Sequence, residues 1–553
     1  MDNYSIADQF SLLAKLMDIH GENSFKAKSY SAAAFAIEKL PVQLSETSSD
    51  KFASFKGIGD SAAKKIIELL STGKLAALEE IIEKTPAGII EMLNIKGIGP
   101  KKISTIWKEM EIESIGELLY ACNENRLLLY KGFGEKTQNN IRESLEFYLK
   151  NQGSYLYAEI IAYAMAIETK LQDSFADAQV ALTGAVRRQL EIINEIELVT
   201  TAIPATITSF FSSNNFTAAA AKENSLVFKG PENISIIIHC CAAETYYPVL
   251  FSTSAGDEFL ATCKAHPNWA DTATAKTEAA IFKSLDIAAL PPYLREQPWQ
   301  AALKEVPAVI QLGNIKGIIH SHSNWSDGAV SIEEMAQACI KDGYEYLVIS
   351  DHSKSAFYAN GLQEERIREQ HICIDELNKK LAPFKIFKSI EADILNDGAL
   401  DYADNILSTF DLVIASVHSN LKMPEEKAMS RLLTAIENKY TTILGHMTGR
   451  LLLSRKGYPI NHSKIIDACA ANKVVIELNA HPRRLDIDWR FIHEATEKGV
   501  LISIDPDAHG TEGYKDCLYG VLAAQKAGLT AAQNLSSFSL VQFENFLATY
   551  KKG

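Results

Sequence analysis

Between residues 318 and 509 one hydrophobic run after another ends on a side chain that can bind a metal. IIHSHSNWSDG (318–328) supplies His320, His322 and Asp327, EYLVISDH supplies His352, FKSIEADIL supplies Glu391, DLVIASVH supplies His418, TTILGH supplies His446, and LISIDPDAH (501–509) supplies Asp507 and His509. Six imidazoles and three carboxylates without a thiolate suit Mn, Zn or Fe better than a soft-metal site. Nine ligands exceed what one tetrahedral or octahedral ion needs, so two or three divalent ions bridged by a carboxylate are expected. Adjacent ions of that kind activate water and neutralise charge on a phosphate ester. Any one of these histidines would pass as a hydrogen-bonded core residue. Ten of the thirteen histidines lie at or beyond residue 320, however, and six of them sit at run ends, which scattered core histidines would not do.

The runs have strand length and β-branched content, and they alternate with helical patterns such as SIEEMAQACIKDG and NHSKIIDACAANK. That alternation predicts a barrel of parallel strands whose carboxyl ends converge on one mouth, where such barrels place their active sites.

In the order HSH, SDG, SDH, EADIL, SVHSN, GHMTGR and DAH, the region from about 310 to 553 resembles the polymerase and histidinol phosphatase (PHP) domain. The resemblance implies a distorted seven-stranded (β/α)7 barrel, a trinuclear metal centre and hydrolysis of phosphate esters. All nine of the family's ligand positions carry ligand-competent residues. Arg450 in GHMTGR and Arg483 or Arg484 in AHPRRLD are candidates for gripping a substrate phosphate, with a strand-end or surface salt bridge as the alternative. Asp351 and Asp393 stand where carboxylates orient metal-bound imidazoles, and Asp351 would equally serve as a helix cap.

The chain has 553 residues, enough for three or four domains, and its 47% hydrophobic content is that of an ordinary folded protein. It holds no 18-residue apolar run and no signal-like leader at Met1, so neither a membrane span nor secretion is expected. Eight cysteines without a CxxC read as reduced thiols of a cytoplasmic protein. The net charge of −14 argues against a nucleic-acid partner only until its distribution is considered. Residues 1–150 hold 19 Lys+Arg against 21 Asp+Glu, so −12 of the −14 belongs to the remainder.

Three related stretches lie in that balanced segment: KGIGDSAAKKI (56–66), KGIGPKKI (96–103) and KGFGEKTQNNI (131–141). In each, a glycine pair (Gly57 and Gly59, Gly97 and Gly99, Gly132 and Gly134) brackets an apolar residue and leads into a helix carrying Lys or amides, such as Lys65 and Lys101. The glycines permit a tight turn with exposed N–H groups, and the following helix offers its N-terminus to an anion. The pattern resembles the helix-hairpin-helix, which grips a DNA backbone without reading sequence. SFKAKSYSAAAFAIEKL (24–40) also looks like the lyase-type domain that begins family X DNA polymerases. Tyr30 falls on a family position and Lys65 where some members place a Schiff-base amine. A plain phosphate contact is the favoured role for Lys65.

The resemblance to bacterial family X polymerases with a PHP tail extends over residues 151–290 as palm and thumb. ALTGAVRRQLEIINEIELVTTA (181–202) overlies a strand, a Gly-Ser pair, two arginines and a strand bearing Asp-x-Asp; ISIIIHCC (234–241) overlies the strand of the third aspartate. FSTSAG (251–256) lies near the sugar-discriminating turn, and LPPYLRE (290–296) closes the thumb. Here the pattern is eroded. Ala185 replaces the serine, Glu195 and Glu197 replace the aspartate pair, and Ser235 replaces the third aspartate. Two-metal phosphoryl transfer tolerates little misplacement, so polymerase activity is expected to be weak or lost, and Mg at the palm is left open. Arg187 and Arg188 are retained, either to hold a phosphate or as solvent-facing helix charges.

The predicted architecture is therefore multidomain. It runs 1–85 lyase-like, 86–150 fingers-like, 151–290 an α+β nucleotidyltransferase-like palm and thumb, 291–314 a linker, and 315–553 the PHP barrel. The expected function is Mn-dependent 3′–5′ exonuclease action on gapped DNA or 3′ ends, without sequence preference, by a monomer in base-excision repair, with abasic-site or 3′-end processing possible. The alternatives are a working gap-filling polymerase using Glu195 and Glu197, a non-catalytic DNA-binding scaffold, and a small-molecule phosphatase.

Overall fold

The computed structural model describes residues 1–123, 126–150, 153–220, 225–230, 233–453 and 456–550. The chain divides into two compact units, Met1–Gln152 and Gly153–Gly553. Among the described residues no helix is long and apolar enough to cross a membrane. All eight cysteines are free thiols.

The first unit is helical. Helices α1 (Asn3–His20) and α2 (Ser24–Glu38) start on side-chain caps: Asp2 accepts from Ser5 N, and Asn23 accepts from Phe25 N and Lys26 N. Helices α3 (Asp60–Thr72), α4 (Pro100–Lys108) and α5 (Glu135–Lys150) each follow one of the Gly-apolar-Gly turns. The three turns share one backbone. Gly57, Gly97 and Gly132 have φ of 91°, 88° and 94°, a region that disfavours a side chain. The next residue donates its N–H three residues back, Ile58 to Phe55 O (3.0 Å), Ile98 to Ile95 O (3.3 Å) and Phe133 to Tyr130 O (3.2 Å). Those same residues, Ile58, Ile98 and Phe133, are buried in one apolar core and anchor the turns while the glycines face outward.

The second unit begins with a five-stranded α+β sheet. Strands β1 (Val180–Thr183), β2 (Glu195–Thr200), β3 (Thr217–Ala219), β4 (Ser225–Lys229) and β5 (Ser235–Cys240) lie in the order β1-β2-β5-β4-β3. Only β2 and β5 are parallel, with Glu195 opposite Ser235 and Glu197 opposite Ile237.

The barrel follows. Strands β6 (Gly317–Ile318), β7 (Tyr346–Ile349), β8 (Lys385–Asp393), β9 (Leu412–Ser416), β10 (Ile443–Leu444), β11 (Val475–Asn479) and β12 (Ile502–Asp505) are parallel neighbours in sequence order. The ring closes just past β6 and β12, where His322 N donates to Ala508 O (2.8 Å) and Ala508 N donates to His320 O (3.3 Å). Strands β7, β9, β11 and β12 are buried throughout, as strands with both faces covered must be. Tyr346, Val348, Phe387, Leu412, Ile414, Ile443 and Val475 form one cluster with Phe543 and Leu547 of the last helix, Leu540–Tyr550. Tyr346 stacks on Phe543 at 4.6 Å. The two-residue strand period carries that apolar floor upward to buried Ser350, Ser389 and Ser416, and then to the mouth at His352, Glu391 and His418.

The barrel is braced to the α+β sheet by ion pairs. Glu191, which precedes β2, has a side chain only 10% exposed; it accepts from Arg490 (2.9 Å) and from Trp489 Nε1 (3.1 Å). Arg483 pairs with Glu159 at 2.8 Å. Segment 291–314 is itself fixed: Gln300 Nε2 donates to Lys526 O (2.7 Å) and Ile310 N to Leu529 O (2.8 Å). Burial pushes the Glu191 carboxyl up, and Arg490, together with Lys526 and a backbone hydrogen bond, outweighs that and leaves it below its ordinary value. Arg490→Ala should therefore cost about 2 kcal/mol, the usual loss when a charged hydrogen-bond partner is removed from a mostly buried acceptor. Thermal unfolding should show a lower midpoint, and Glu191→Gln combined with Arg490→Ala should cost less than the sum of the two single changes.

Candidate metal centre

Glu391 stands at the end of β8 with no solvent exposure, and five imidazoles converge on its carboxylate. His352 Nδ1 lies 2.9 Å away, His446 Nε2 3.0 Å, His418 Nε2 3.1 Å, His320 Nε2 3.3 Å and His322 Nε2 3.7 Å. Asp507 Oδ1 stands 3.1 Å from His322 and 3.5 Å from His320; Asp327 Oδ1 stands 3.4 Å from His509 and 3.7 Å from His352. Four overlapping groups have their ligand atoms within 4.8 Å of one another: His322, Asp327, His352 and His509; His320, His322 and Glu391; His320, His446 and Asp507; and His352, Glu391 and His418. These groups take in all nine predicted ligands. His320, His322, His352 and Glu391 each join two of them. Among the described residues every such group lies at this mouth.

The backbone is bent to bring these atoms together. His320 and Asp507 have φ of 57° and 52°, at the two segments whose mutual hydrogen bonds close the barrel. The side chains of Asp327 and His509 are 32% and 39% exposed and form the open side.

The electrostatics are those of a ligand cage. Burial raises the Glu391 carboxyl, but His418, His320 and His352 outweigh it and hold that carboxyl well below its ordinary value. Burial, then His352 and His509, push His322 down to about 3, so its imidazole is neutral and ready to donate a lone pair. Burial also opposes the charge on His418, yet Glu391 and Asp393 carry it up to about 10. The buried Glu391 Oε2, His322 Nδ1 and His446 Nδ1 meet no partner with hydrogen-bonding geometry, an expensive state for polar atoms unless a further group completes them. The nitrogen and oxygen donor set, its spacing and these uncompleted atoms fit divalent ions.

Around the cage sits a layer of orienting groups. Asp393 accepts from His418 Nδ1 at 2.5 Å, the role expected of it. Glu477 holds His320 Nδ1 with one oxygen and accepts from His446 N (2.5 Å) with the other. Asn479 Nδ2 donates to Asp507 Oδ2 (3.1 Å). Sequence reasoning missed Glu477 and Asn479, although VVIELN is another hydrophobic run with polar residues at its end, and the rule that found the ligands would have found them.

Asp351 does not orient an imidazole. It accepts from Ser323 N (2.8 Å), Ser323 Oγ (2.6 Å), Ser326 Oγ (2.5 Å) and Gln370 Nε2 (2.6 Å), and so clamps the loop that carries His322 and Asp327. Each of the three guanidinium nitrogens of Arg450 is engaged within the chain. Its Nε donates to Arg484 O (2.9 Å), one terminal nitrogen to Asp488 (2.7 Å) and the other to Leu485 O, because the chain folds 483–488 back over it. Arg483 turns away to Glu159, whereas Arg484 Nε lies 3.5 Å from Asp507 Oδ2, beside the cage.

The palm residues are arranged differently. Glu197 accepts from or pairs with His239 Nε2 at 2.9 Å, and its carboxylate lies so close over Gly184 that a Cβ there would be 1.9 Å from Oε1. Ser235 stands beside Glu195 across β2 and β5. Ala185 packs against the apolar core of the sheet. Arg187 and Arg188 are neither solvent-facing nor held out for a phosphate. Arg187 makes a two-pronged pair with Glu278 (3.0 and 2.6 Å), which also holds Arg295 (2.5 Å), and Arg188 pairs with Glu296 (3.0 Å). In the first unit, Lys65 Nζ lies 5.8 Å from the Tyr30 ring and lines a cavity of about 130 Å³ with Lys26 and Lys84; Lys101 is exposed.

Residues 319–481 match the PHP domain, residues 1–75 a helix-hairpin-helix domain, and residues 89–146 a SAM-like helix-hairpin-helix tandem. The chain is 33% identical to the DNA polymerase/3′-5′ exonuclease PolX of Bacillus subtilis (strain 168), over 97% of both proteins. Over 34% of its length it is 28% identical to a probable phosphatase of Caldanaerobacter subterraneus, 74% of which is covered. It is 26% identical to the probable phosphatase YcdX of Escherichia coli O81 (36% and 82%). With a near full-length relative at that identity, hairpin turns that repeat one backbone three times and a seven-stranded barrel ending in a histidine and carboxylate cage, the chain belongs to the PolX family of DNA polymerases, which joins helix-hairpin-helix domains to a PHP domain.

Proposed function

We propose that this protein is a cytoplasmic DNA-end-processing phosphoesterase, a Mn-dependent 3′–5′ exonuclease that acts on gapped DNA or 3′ ends, with abasic-site or 3′-end processing within its range. The observation that carries this reading is the asymmetry between its two candidate centres. At the barrel mouth eight candidate ligands surround the buried carboxylate of a ninth, Glu391, whereas at the palm Ser235 stands in place of a third carboxylate and Glu197 is engaged by His239.

Divalent ions bound by the nine residues, Mn first and Zn or Fe as alternatives, would lower the pKa of water and neutralise charge on the scissile phosphate and leaving oxygen. The chain does the placing. Glu391 would be among the residues that hold the ions, and the open side at Asp327 and His509 would admit the phosphodiester. Arg484 is the guanidinium nearest the cage and supplies a fixed positive charge for a non-bridging oxygen. Glu477 and Asp393 fix the tautomers of His320 and His418 so that their other nitrogens face inward. The three hairpin turns offer backbone N–H groups and helix N-termini to DNA phosphates without base contacts, and Lys65 with Lys26 and Lys84 adds a phosphate contact rather than a Schiff-base amine.

Replacing His320 and His322 by Ala should abolish hydrolysis of a labelled 3′ end and leave DNA binding, read by gel shift, unchanged; activity that persists overturns the site. Glu477→Gln should lower activity or Mn affinity about 10- to 100-fold, as removal of a ligand's orienting partner does. On gapped DNA with Mn²⁺ or Mg²⁺, with and without the four nucleotides, the expected result is shortening without extension. A second reading, a gap-filling polymerase that places Mg between Glu195 and Glu197, is favoured by the spacing those two residues keep on β2 and by the polymerase activity in the relative's name. Templated extension that disappears in Glu195→Gln with Glu197→Gln would establish it.

A further inference from the structure

His481 follows β11 by two residues and belongs to none of the four ligand groups, yet its backbone is tied to one of the candidate ligands. His481 N donates to Asn479 Oδ1 (3.1 Å), and Nδ2 of the same amide donates to Asp507 Oδ2 (3.1 Å). With about 2.3 Å between the oxygen and nitrogen of an amide, that bridge holds His481 N within about 9 Å of Asp507 Oδ2. Arg484 closes the same loop from the other side. Its N donates to His481 O (2.7 Å) while its Nε lies 3.5 Å from Asp507 Oδ2. The charges that act on the His481 imidazole are those of Asp507, Arg484, Arg483 and His509, so two of its four charged neighbours are candidate ligands.

One ring nitrogen is already engaged. Arg483 N donates to His481 Nδ1 (3.2 Å). A neutral imidazole has one donor and one acceptor, so accepting at Nδ1 leaves the hydrogen on Nε2. Protonation would add a hydrogen at Nδ1 and leave the one on Nε2 in place, so Nε2 donates in either charge state. Among the described residues no hydrogen bond or ion pair takes up Nε2, and it is not one of the polar atoms sealed away from water. The bond at Nδ1 by itself marks only a His-Pro turn, because His266 makes the same one with Asn268 N (3.2 Å). What sets His481 apart is its tether through Asn479 to Asp507, beside the Arg484 guanidinium. A donor oriented before the substrate arrives costs no reorganisation when charge builds on a phosphate oxygen.

We propose that His481 is a catalytic residue of the barrel centre, its Nε2–H donating to a non-bridging oxygen of the scissile phosphate while Arg484 neutralises the charge that oxygen gains. The inference rests on reading the cage as a DNA phosphoesterase. It gives that reaction a directed hydrogen-bond donor in addition to the ligand cage and the guanidinium.

Three replacements separate the two ring nitrogens. His481→Asn keeps an oxygen near the place of Nδ1, able to accept from Arg483 N, and removes the Nε2 donor. His481→Gln puts an amide N–H near the place of Nε2 and gives up the Nδ1 acceptor. His481→Ala removes both. With the full-length chain, Mn²⁺ and a labelled 3′ end, kcat should fall about 100-fold in His481→Ala and in His481→Asn, the loss typical of one such donor, with KM changing far less. His481→Gln should be at least about tenfold faster than His481→Ala, since it restores a donor of that kind. Mn²⁺ affinity, measured by calorimetry without DNA, should be the same in all four proteins. An unchanged kcat in His481→Ala, a His481→Asn protein as fast as the unaltered chain, a His481→Gln protein as slow as His481→Ala, or weakened Mn²⁺ binding in His481→Ala overturns the assignment. If the unaltered chain leaves the 3′ end intact, the phosphoesterase reading itself fails, and this inference with it.

Discussion

A carboxylate cannot be taken wholly out of water unless something else solvates it, and the second unit is built around one such group. Glu391 has no exposed surface, and five imidazoles stand within 3.7 Å of its oxygens. Each of those imidazoles must in turn be desolvated, held in one tautomer and aimed. The barrel does this with parallel strands, whose carboxyl ends bring side chains from distant parts of the sequence to one mouth. Closure matters as much as convergence. The hydrogen bonds that seal the ring between its first and last strands are made by the backbones of His320 and His322 with Ala508, the neighbour of Asp507, so forming the barrel and forming the cage are one event.

The demand for fixed geometry spreads outward. Asp351 clamps the loop bearing His322 and Asp327, Glu477 ties together His320 and the backbone of His446, and Arg450 is consumed in holding 483–488, from which Arg484 reaches Asp507. That loop is also where the α+β sheet touches the barrel, through Glu191 with Arg490 and Glu159 with Arg483. The sheet therefore supports the wall of the metal cage whatever chemistry it retains of its own. Its arginines have been drawn into interior pairs with Glu278 and Glu296, which stabilise the joint between sheet and following helices but leave no guanidinium facing outward. The hairpin unit solves a different problem, presenting backbone N–H groups. There the fixed quantity is a positive φ at three glycines rather than any side chain.

Much of this was legible in the sequence, for reasons that differ by element. The hairpin turns were readable because their requirement is local: a glycine with positive φ, an apolar anchor and a helix start lie within five residues, and the pattern recurs three times. The barrel and the clustering of histidines and carboxylates at its mouth were readable because the strand period places the last residue of each hydrophobic run there, so residue type and position together imply convergence.

What the sequence left open was partner choice. Arg450, Arg187 and Arg188 carry charge in any reading, but whether that charge faces a phosphate or an interior acid depends on Asp488, Glu278 and Glu296, which are 38, 91 and 108 residues away. Asp351 was placed correctly at a strand end and assigned the wrong neighbours, because the serines it binds come from a loop between the preceding strand and helix. Glu477 and Asn479 went unread because IELN looks like ordinary strand until the ring closes and turns its carboxylate toward His320. Residue type, period and local turn chemistry act over a few residues and are written in order along the chain. The pairing of charges and the sharing of one buried carboxylate among five rings arise only when the barrel has brought those residues within 4 Å, and that the tertiary structure alone decided.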